Sequence, residues 1–439
     1  MERRLKRNVF DKIINWNNGN SEKALLLTGA PGTGKTYLSQ ELAKKFYNSY
    51  LYINPKNDYK LKKELFTFAL QDTTDFKQFL QSYYQIPIEW LSEFLIILDD
   101  FDWFPELSSL LEKITAVTYP FHLIIISTIT PNEILYQQCS VYTVSPLEFD
   151  EYLKAIGSEW YTEIIQAHYQ TKKKIPEIVH KEMLNLFRDY LRIGGMPAAI
   201  NEYMHTENMN NIASIHRNLY EIYLAQFKRY NESSCTKLLQ LSQHIPEQLT
   251  KDNKNYRYNL IRKGATHNLY RTELQYLSDL HLVNKIEKAD FEQTKDSISV
   301  WHHENQFRLF LNDCGMLYTM IQASDYHYVE AEEDISDDDT QDEKMYQLLA
   351  ETYLLSTLKA RGYQTVFWES GSLSKIDYIS LFDNSITPIE IKLLENKRSK
   401  SMHVFRQKFP ISKFYKFGTH NFSVDEQCIA CPVYSLFCL

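Results

Sequence analysis

No run of about twenty apolar residues interrupts this chain of 439 residues, so a bilayer-spanning helix is not expected. The start, Met1-Glu2-Arg3-Arg4-Leu5-Lys6-Arg7, is basic but leads to Asp11-Lys12 and not to an apolar stretch; a secretory signal is not expected either. The six Cys are scattered, which argues against a disulfide framework and predicts a reducing, cytoplasmic setting. Cys428 and Cys431 form the one close pair. A zinc site would need two more ligands, and His420 and Cys438 are poorly spaced for that, so the pair reads as packed strand cysteines. Glycine is also scarce, 12 residues against 31 Tyr; with the abundance of Ile, Asn and Lys, this reflects compositional bias and not chemistry. Positive charge is in deficit, at a net −8, so there is no global attraction to nucleic acid, and any such contact must come from a local basic face.

What is present begins with Gly29-Ala30-Pro31-Gly32-Thr33-Gly34-Lys35-Thr36, directly after the apolar run Ala24-Leu25-Leu26-Leu27-Thr28. A strand ending in such a loop and opening a helix is a phosphate-binding P-loop. The glycines let successive N–H groups converge on a phosphate, and the positive end of the helix faces the same anion. Lys35 would reach the β- and γ-phosphates, Thr36 would hold Mg²⁺, and the neighbouring Tyr37 belongs to the same site. Phe94-Leu95-Ile96-Ile97-Leu98 then ends in Asp99-Asp100, a Walker B element. Asp99 would orient the Mg²⁺, and Asp100 stands where a Glu more often polarises the attacking water. A weaker third element, Leu123 to Ile126 running into Ser127-Thr128, places polar side chains where they could sense the γ-phosphate.

Along the chain, residues 1–145 alternate helical and apolar strand segments (24–28, 50–54, 94–98, 123–127, 141–144), which predicts a parallel α/β sheet. Helical periodicity follows from Pro146 to about Tyr230, broken by Gly194-Gly195-Met196-Pro197. Residues 233–301 suggest short helices closed by a hairpin, with strands at 281–287 and 297–302, as in a winged helix. Its groove-entering helix would carry Arg271 but also Glu273 and Asp279; that balance favours a structural or protein-contact role over DNA reading. The acidic run 330–343 predicts a solvated linker.

After the linker, a helix from Tyr346 to Ala360 carries Glu351, and strand-like segments carry Asp377, Glu390 and Lys392. Alternate strand residues share a face, so Glu390 and Lys392 would point together and a neighbouring strand could add Asp377. Asp377 and Glu390 would hold Mg²⁺, with Glu351 nearby, and Lys392 would position or deprotonate the attacking water for phosphodiester hydrolysis. The alternative is a charged strand edge without catalysis. The stretch 392–416 holds eight Lys or Arg against Glu395 alone; within it Lys397, Arg398, Lys400, Arg406 and Lys408 are the expected phosphate contacts.

With these residues placed, the chain resembles the bacterial and archaeal ATPases that join an AAA-type P-loop domain to a winged helix and a C-terminal restriction-endonuclease-like domain. Besides the P-loop and Asp99-Asp100, the resemblance rests on residues 145–152 (Ser-Pro-Leu-Glu-Phe-Asp-Glu-Tyr), on Gly194-Gly195-Met196-Pro197, on residues 310–316 (Phe-Leu-Asn-Asp-Cys-Gly-Met), and on Glu351, Asp377, Glu390 and Lys392. It implies an α/β fold comprising a P-loop ATPase core (1–145), a helical lid (146–232), a winged helix (233–325), an acidic linker (326–344) and a restriction-endonuclease-like domain (345–439). It also implies that Pro197 sits against the nucleotide from the lid, as in related signalling ATPases that act as switches. Two departures stand out. Such ATPases commonly carry an Arg shortly before the Pro-Leu-x-Phe element, whereas this chain has Cys139-Ser140-Val141 and no Arg between Arg7 and Arg188; and Ile376, not Pro, precedes Asp377.

The expected protein is thus a slowly hydrolysing, ATP- and Mg²⁺-dependent switch ATPase controlling a nuclease-like, nucleic-acid-binding domain. The alternative is an ATP-gated module that assembles with a protein partner and has a catalytically silent C-terminal domain. A P-loop kinase or transporter ATPase fits less well, because neither a small-molecule acceptor domain nor an ABC-type signature is present.

Overall fold

A computed structural model describes residues 5–19, 23–70, 75–293, 298–323, 338–370, 374–382, 385–393, 400–409 and 411–439. The chain forms two compact units, one of residues 6–145 with 279–281, the other of residues 146–278 with 282–439 and the extreme N-terminus. Among the described residues no helix is long and apolar enough to cross a membrane.

The first unit is built on five strands, β1 (Leu25–Thr28), β2 (Ser49–Ile53), β3 (Phe94–Leu98), β4 (His122–Ile126) and β5 (Ser140–Thr143), in the order β2-β3-β4-β1-β5. All neighbours are parallel. A parallel sheet is covered on both faces, which is why β1, β3 and β4 read as unbroken apolar runs. Leu26, Ile96, Leu98 and Ile125 pack into one layer, and Leu25, Leu27, Ile97 and Ile126 into the other with Leu38 and Leu42 of the helix Lys35–Phe46. Because the strands run the same way, their C-terminal ends share one edge of the sheet. The P-loop after β1, Asp99 after β3 and Ser127 after β4 are brought to that edge by topology alone.

The second unit opens with helices through residue 278 and continues into an eight-stranded mixed sheet. Its strands are β6 (Val283–Gln293), β7 (Ile298–Leu311), β8 (Thr365–Ser370), β9 (Ser374–Phe382), β10 (Ser385–Lys392), β11 (Phe414–Gly418), β12 (Ser423–Asp425) and β13 (Cys428–Pro432), ordered β12-β13-β11-β10-β9-β8-β6-β7. The hairpin β6–β7 is longer than the sequence pattern indicates, and β6 pairs in parallel with β8. The expected wing is therefore not a free hairpin but one flank of the C-terminal sheet, and the boundary at 344/345 crosses a shared sheet. On the helix His267–Asp279, Arg271 lies 3.3 Å from Glu304, while the buried Glu273 accepts from Lys237 and Ser234. Glu273 thus serves the fold, whereas Arg271 and Glu304 form an exposed pair.

The linker expectation also needs correction at its end. Residues 324–337 lie outside the described residues, but a helix runs over Asp338–Ala360, starting eight residues before Tyr346. Acidic residues favour a helix N-terminus, where the dipole is positive, and Asp342 lies 3.7 Å from Arg192.

Three motifs far apart in sequence meet inside this unit. Leu147 N–H donates to the Gly195 carbonyl at 2.6 Å, Tyr190 hydroxyl to the Leu147 carbonyl at 2.6 Å, and Gly195 N–H to Asp313 Oδ2 at 2.8 Å. A Cβ on Gly195 would stand 2.3 Å from the Leu147 carbonyl oxygen, and one on Gly315 2.4 Å from that of Ile193. These glycines are demanded by backbone against backbone, which no rotamer change relieves. Cys428 is half-buried and Cys431 buried, and burial pushes both thiols up.

Candidate functional site

The P-loop turns through three left-handed glycines, Gly29 (φ 141°), Gly32 (φ 80°) and Gly34 (φ 93°). At Gly29 a Cβ would lie 2.3 Å from the Val144 carbonyl oxygen, so glycine is required there by space as well as by φ. Gly34 caps the helix Lys35–Phe46. Ala30 and Pro31 are buried beneath the loop, and Thr33 closes it by donating through Oγ1 to the Ala30 carbonyl at 2.9 Å. Tyr37, 47% exposed, lies on the outer side of that helix.

Lys35 is buried, and its ammonium donates to the Gly29 and Ala30 carbonyls at 2.7 and 2.8 Å. Burial lowers it to about 8, against the opposing pull of Asp102, Asp99 and Asp100. Asp99 Oδ2 accepts from Thr36 Oγ1 and from Tyr52 hydroxyl, both at 2.7 Å; burial raises its carboxyl even so. Asp100 adopts φ 55°, its N–H donates to Asp99 Oδ1 at 2.9 Å, and its own Oδ2 accepts from Asn54 Nδ2 at 2.9 Å. Ser127 donates to Asp102 Oδ2 at 2.8 Å and to the Ile129 carbonyl at 2.8 Å. Its hydroxyl therefore ties the end of β4 to the Walker B turn.

Five residues absent from the sequence expectations support this edge. Tyr52 and Asn54 close β2 beside β3, and Asp102 gathers Ser127 and the Thr128 N–H (2.7 Å). Arg7, the only Arg in residues 6–145, donates to the Thr33 carbonyl at 2.7 Å and to the Ser145 carbonyl at 2.5 Å. His281, at φ 54°, places Nε2 3.1 Å from Thr28 Oγ1. Asp102 could have been suspected as a third acid two residues beyond the Walker B pair. Arg7 and His281 carry no local signal at all.

The donor set fits a nucleoside triphosphate with Mg²⁺. Thr36 and Asp99 are the residues that would hold the ion, which supplies neutralising charge for the phosphates. The loop N–H groups, the helix N-terminus and Lys35 would bind the phosphates, and Asp100 is the free-standing carboxylate positioned by Asn54. A consequence is testable by pH. Since burial lowers Lys35 to about 8, the side chain holds its proton below that pH, and ATP affinity is expected to be flat there. Above it, affinity should weaken towards about tenfold per pH unit, because binding must then take up a proton. Calorimetry in two buffers of different ionisation enthalpy reads that uptake directly; constant affinity and no proton uptake to about pH 9 would contradict the burial of Lys35.

The second unit does not assemble its four expected nuclease residues. Register shifts between Val366 and Trp368 where β8 pairs with β9, so that Val366 faces Ile379 but Trp368 faces Ile376. This bulge on β9 spans Asp377 and Tyr378 and turns both towards the helix Asp338–Ala360, while Ile376 and Ile379 pack with Ile386, Met402 and Phe405 on the other face. Strand alternation from Ile386 puts Glu390 and Lys392 on that other face. They lie 3.8 Å apart, with Lys416 opposite Glu390. Glu351 and Asp377 line one cavity without them, and among the described residues no group of three His, Cys, Asp or Glu is placed to hold a metal. Of the basic stretch, Lys397 and Arg398 lie outside the described residues. Lys400–Lys408 is a helix on which Arg406 is exposed and Lys408 reaches Ser370 Oγ at 2.8 Å. Pro197 begins the helix Pro197–Thr206 of the second unit.

Residues 21–153 match a family described as an AAA domain. Residues 184–327 and 347–436 match two families described as domains of unknown function, DUF8612 and DUF4143. No curated protein matches the chain. Among solved structures, similarity is found to a Signal Transduction ATPase with Numerous Domains protein with a tetratricopeptide repeat sensor from Pyrococcus horikoshii. Identity is 14% and TM-score 0.29 over 82% of this chain, which spans 46% of that one. Similarity is also found to PCH-2 of C. elegans (19% identity, TM-score 0.30, 50% of this chain and 68% of that one). A third is the RuvB Holliday junction branch migration motor of Thermotoga maritima (12% identity, TM-score 0.33, 68% and 92%). The matched family and the P-loop geometry make the N-terminal unit an AAA-type ATPase fold.

Proposed function

We propose that the chain is an ATP-binding, slowly hydrolysing AAA-type switch whose nucleotide state controls its C-terminal region. The observation that carries this reading is the buried Lys35 in its glycine loop beside the Thr36–Asp99 hydrogen bond. In this reading Gly29 to Tyr37 cradle ATP, Thr36 and Asp99 take Mg²⁺, Asp100 orients the attacking water and Ser127 senses the γ-phosphate. Limited proteolysis with ATP and with ADP tests the switch, because a two-state element must bind the two nucleotides differently. Identical cleavage patterns at saturating concentrations of each would oppose it.

For the C-terminal region, the basic residues Lys397, Arg398, Lys400, Arg406 and Lys408 support contact with nucleic-acid phosphates, not bases. Neutralising Arg406 and Lys408 in the full chain should weaken binding evenly across sequences and flatten the slope of log affinity against log salt by about 0.7 to 0.9 per contact. Filter binding of the wild type at about 50 mM salt provides the baseline, and no binding there would remove nucleic acid as the partner. A second reading, an ATP-gated module that assembles with a protein and has a silent C-terminal fold, is favoured by one observation. The carboxylates Glu351 and Asp377 are already paired with cations of the chain itself.

A further inference from the structure

A cavity of about 450 Å³ in the second unit is walled by Lys254, Arg308, Glu351, Glu369, Lys375 and Asp377, among others. Three of its carboxylates, Glu351, Glu369 and Asp377, are engaged, and a fourth on its rim, Asp252, is exposed. Glu351, 3% exposed, accepts from Lys254 Nζ and from Gln347 Nε2 at 3.1 Å. Arg308 donates through Nη1 to Asp377 at 2.9 Å, through Nη2 to Glu369 at 3.2 Å, and through Nε to Asn255 Oδ1 at 3.0 Å. Its side chain is 3% exposed and its guanidinium stacks 4.0 Å from the Phe367 ring centre. Burial would raise the Asp377 carboxyl, but Arg308, Lys375 and Lys254 together hold it below the usual carboxylate value.

We infer that this cavity is a metal-free site, in which Arg308 and Lys254 neutralise the carboxylates that a Mg²⁺ ion would otherwise take in a nuclease-like fold. A divalent ion entering here would have to displace a guanidinium that is already buried. Leaving such a buried charge unpaired is strongly destabilising, and like charges sharing the carboxylates would repel. The neutralisation is built in and not a removable plug: Arg308 belongs to β7, and β7 is bonded through β6 to the same sheet that carries Asp377. The bulge at Asp377 and the placement of Glu390 and Lys392 on the opposite face remove the remaining ligands. This cavity therefore does not hydrolyse phosphodiesters through a bound metal.

The test is Mn²⁺ binding to the full chain, nucleotide-free, followed by electron paramagnetic resonance. The wild type is expected to show no bound Mn²⁺ that Asp377→Asn removes. The double variant Lys254→Met with Arg308→Met releases Glu351, Glu369 and Asp377, and should gain a Mn²⁺ site at least about tenfold tighter than any in the wild type, with a Tm that rises on adding the ion. A folded double variant that ignores Mn²⁺ would overturn the idea that the cations stand in for a metal. Should that variant not fold, the wild type and Asp377→Asn decide alone. Equal Mn²⁺ binding and equal absence of Mg²⁺-dependent nicking support the inference, and Mn²⁺ binding or nicking that the wild type shows and Asp377→Asn loses overturns it.

Discussion

Replacing Lys35 with Ala is expected to abolish tight ATP binding. The ammonium is buried against the Gly29 and Ala30 carbonyls and is the only cationic side chain in the loop from Gly29 to Thr36, so nothing else there offsets the charge of the β- and γ-phosphates. Charge-assisted hydrogen bonds contribute about 1.5–3 kcal/mol each, and about 1.4 kcal/mol is tenfold in affinity. Loss of two such bonds weakens binding by about a hundredfold or more. Titration calorimetry of Lys35→Ala, with circular dichroism to show that the fold persists, is the measurement. Affinity equal to the wild type would defeat the nucleotide-site assignment. Lys35→Met, which keeps the aliphatic stem in its buried channel, separates lost charge from lost packing.

Asp100→Asn should lower the hydrolysis rate by about a hundredfold while leaving ATP affinity unchanged. Asp100 occupies a left-handed backbone conformation, φ 55°, which Asn tolerates, so the substitution removes the charge with little strain. Positioned bases contribute roughly 10²–10⁴-fold to such steps. The low end is expected, because an Asp carboxylate is one methylene shorter than the Glu more common at this place and is held by Asn54 at 2.9 Å. For the same reason, and because residues 8–187 contain no Arg that could serve as a finger, the wild-type basal rate should fall below the roughly 1–10³ s⁻¹ of typical enzymes. Single-turnover assays separate chemistry from binding. An unchanged rate in the variant, or a wild-type rate within that span without a partner, would sink the switch reading.

The parts of this architecture legible in the sequence are those set by contiguous residues. A glycine loop after an apolar strand states its own conformation, because φ near 80–141° at Gly29, Gly32 and Gly34 is open to glycine and costly for most others. Likewise β3 ends in Asp99-Asp100 on the edge where β1 ends in the P-loop, since parallel neighbours share an edge. The central strands β1, β3 and β4 are legible for a related reason: they are buried almost throughout, and apolar runs of that length have few other uses. The groups that brace the site were not legible. Tyr52 and Asn54 reach it from the end of β2, Arg7 and His281 from more distant segments, and His281 lies 253 positions from the Thr28 it meets.

The same division runs through the C-terminal region. Composition and alternation determined that residues 365–392 would form strands carrying Asp377, Glu390 and Lys392, and that Glu390 and Lys392 would share a face. Only the tertiary structure decided which face Asp377 takes. A bulge is a property of two strands in register, here the slip between Val366 and Trp368 opposite β9, and a period-two pattern read along one strand cannot contain it. Nor could the chain itself announce that Arg308, 69 positions before Asp377, would reach its carboxylate, because that contact exists only once β6 has paired with β8. The residue types were written locally; their partners were set by packing and burial, which bring together charges that sequence distance keeps apart.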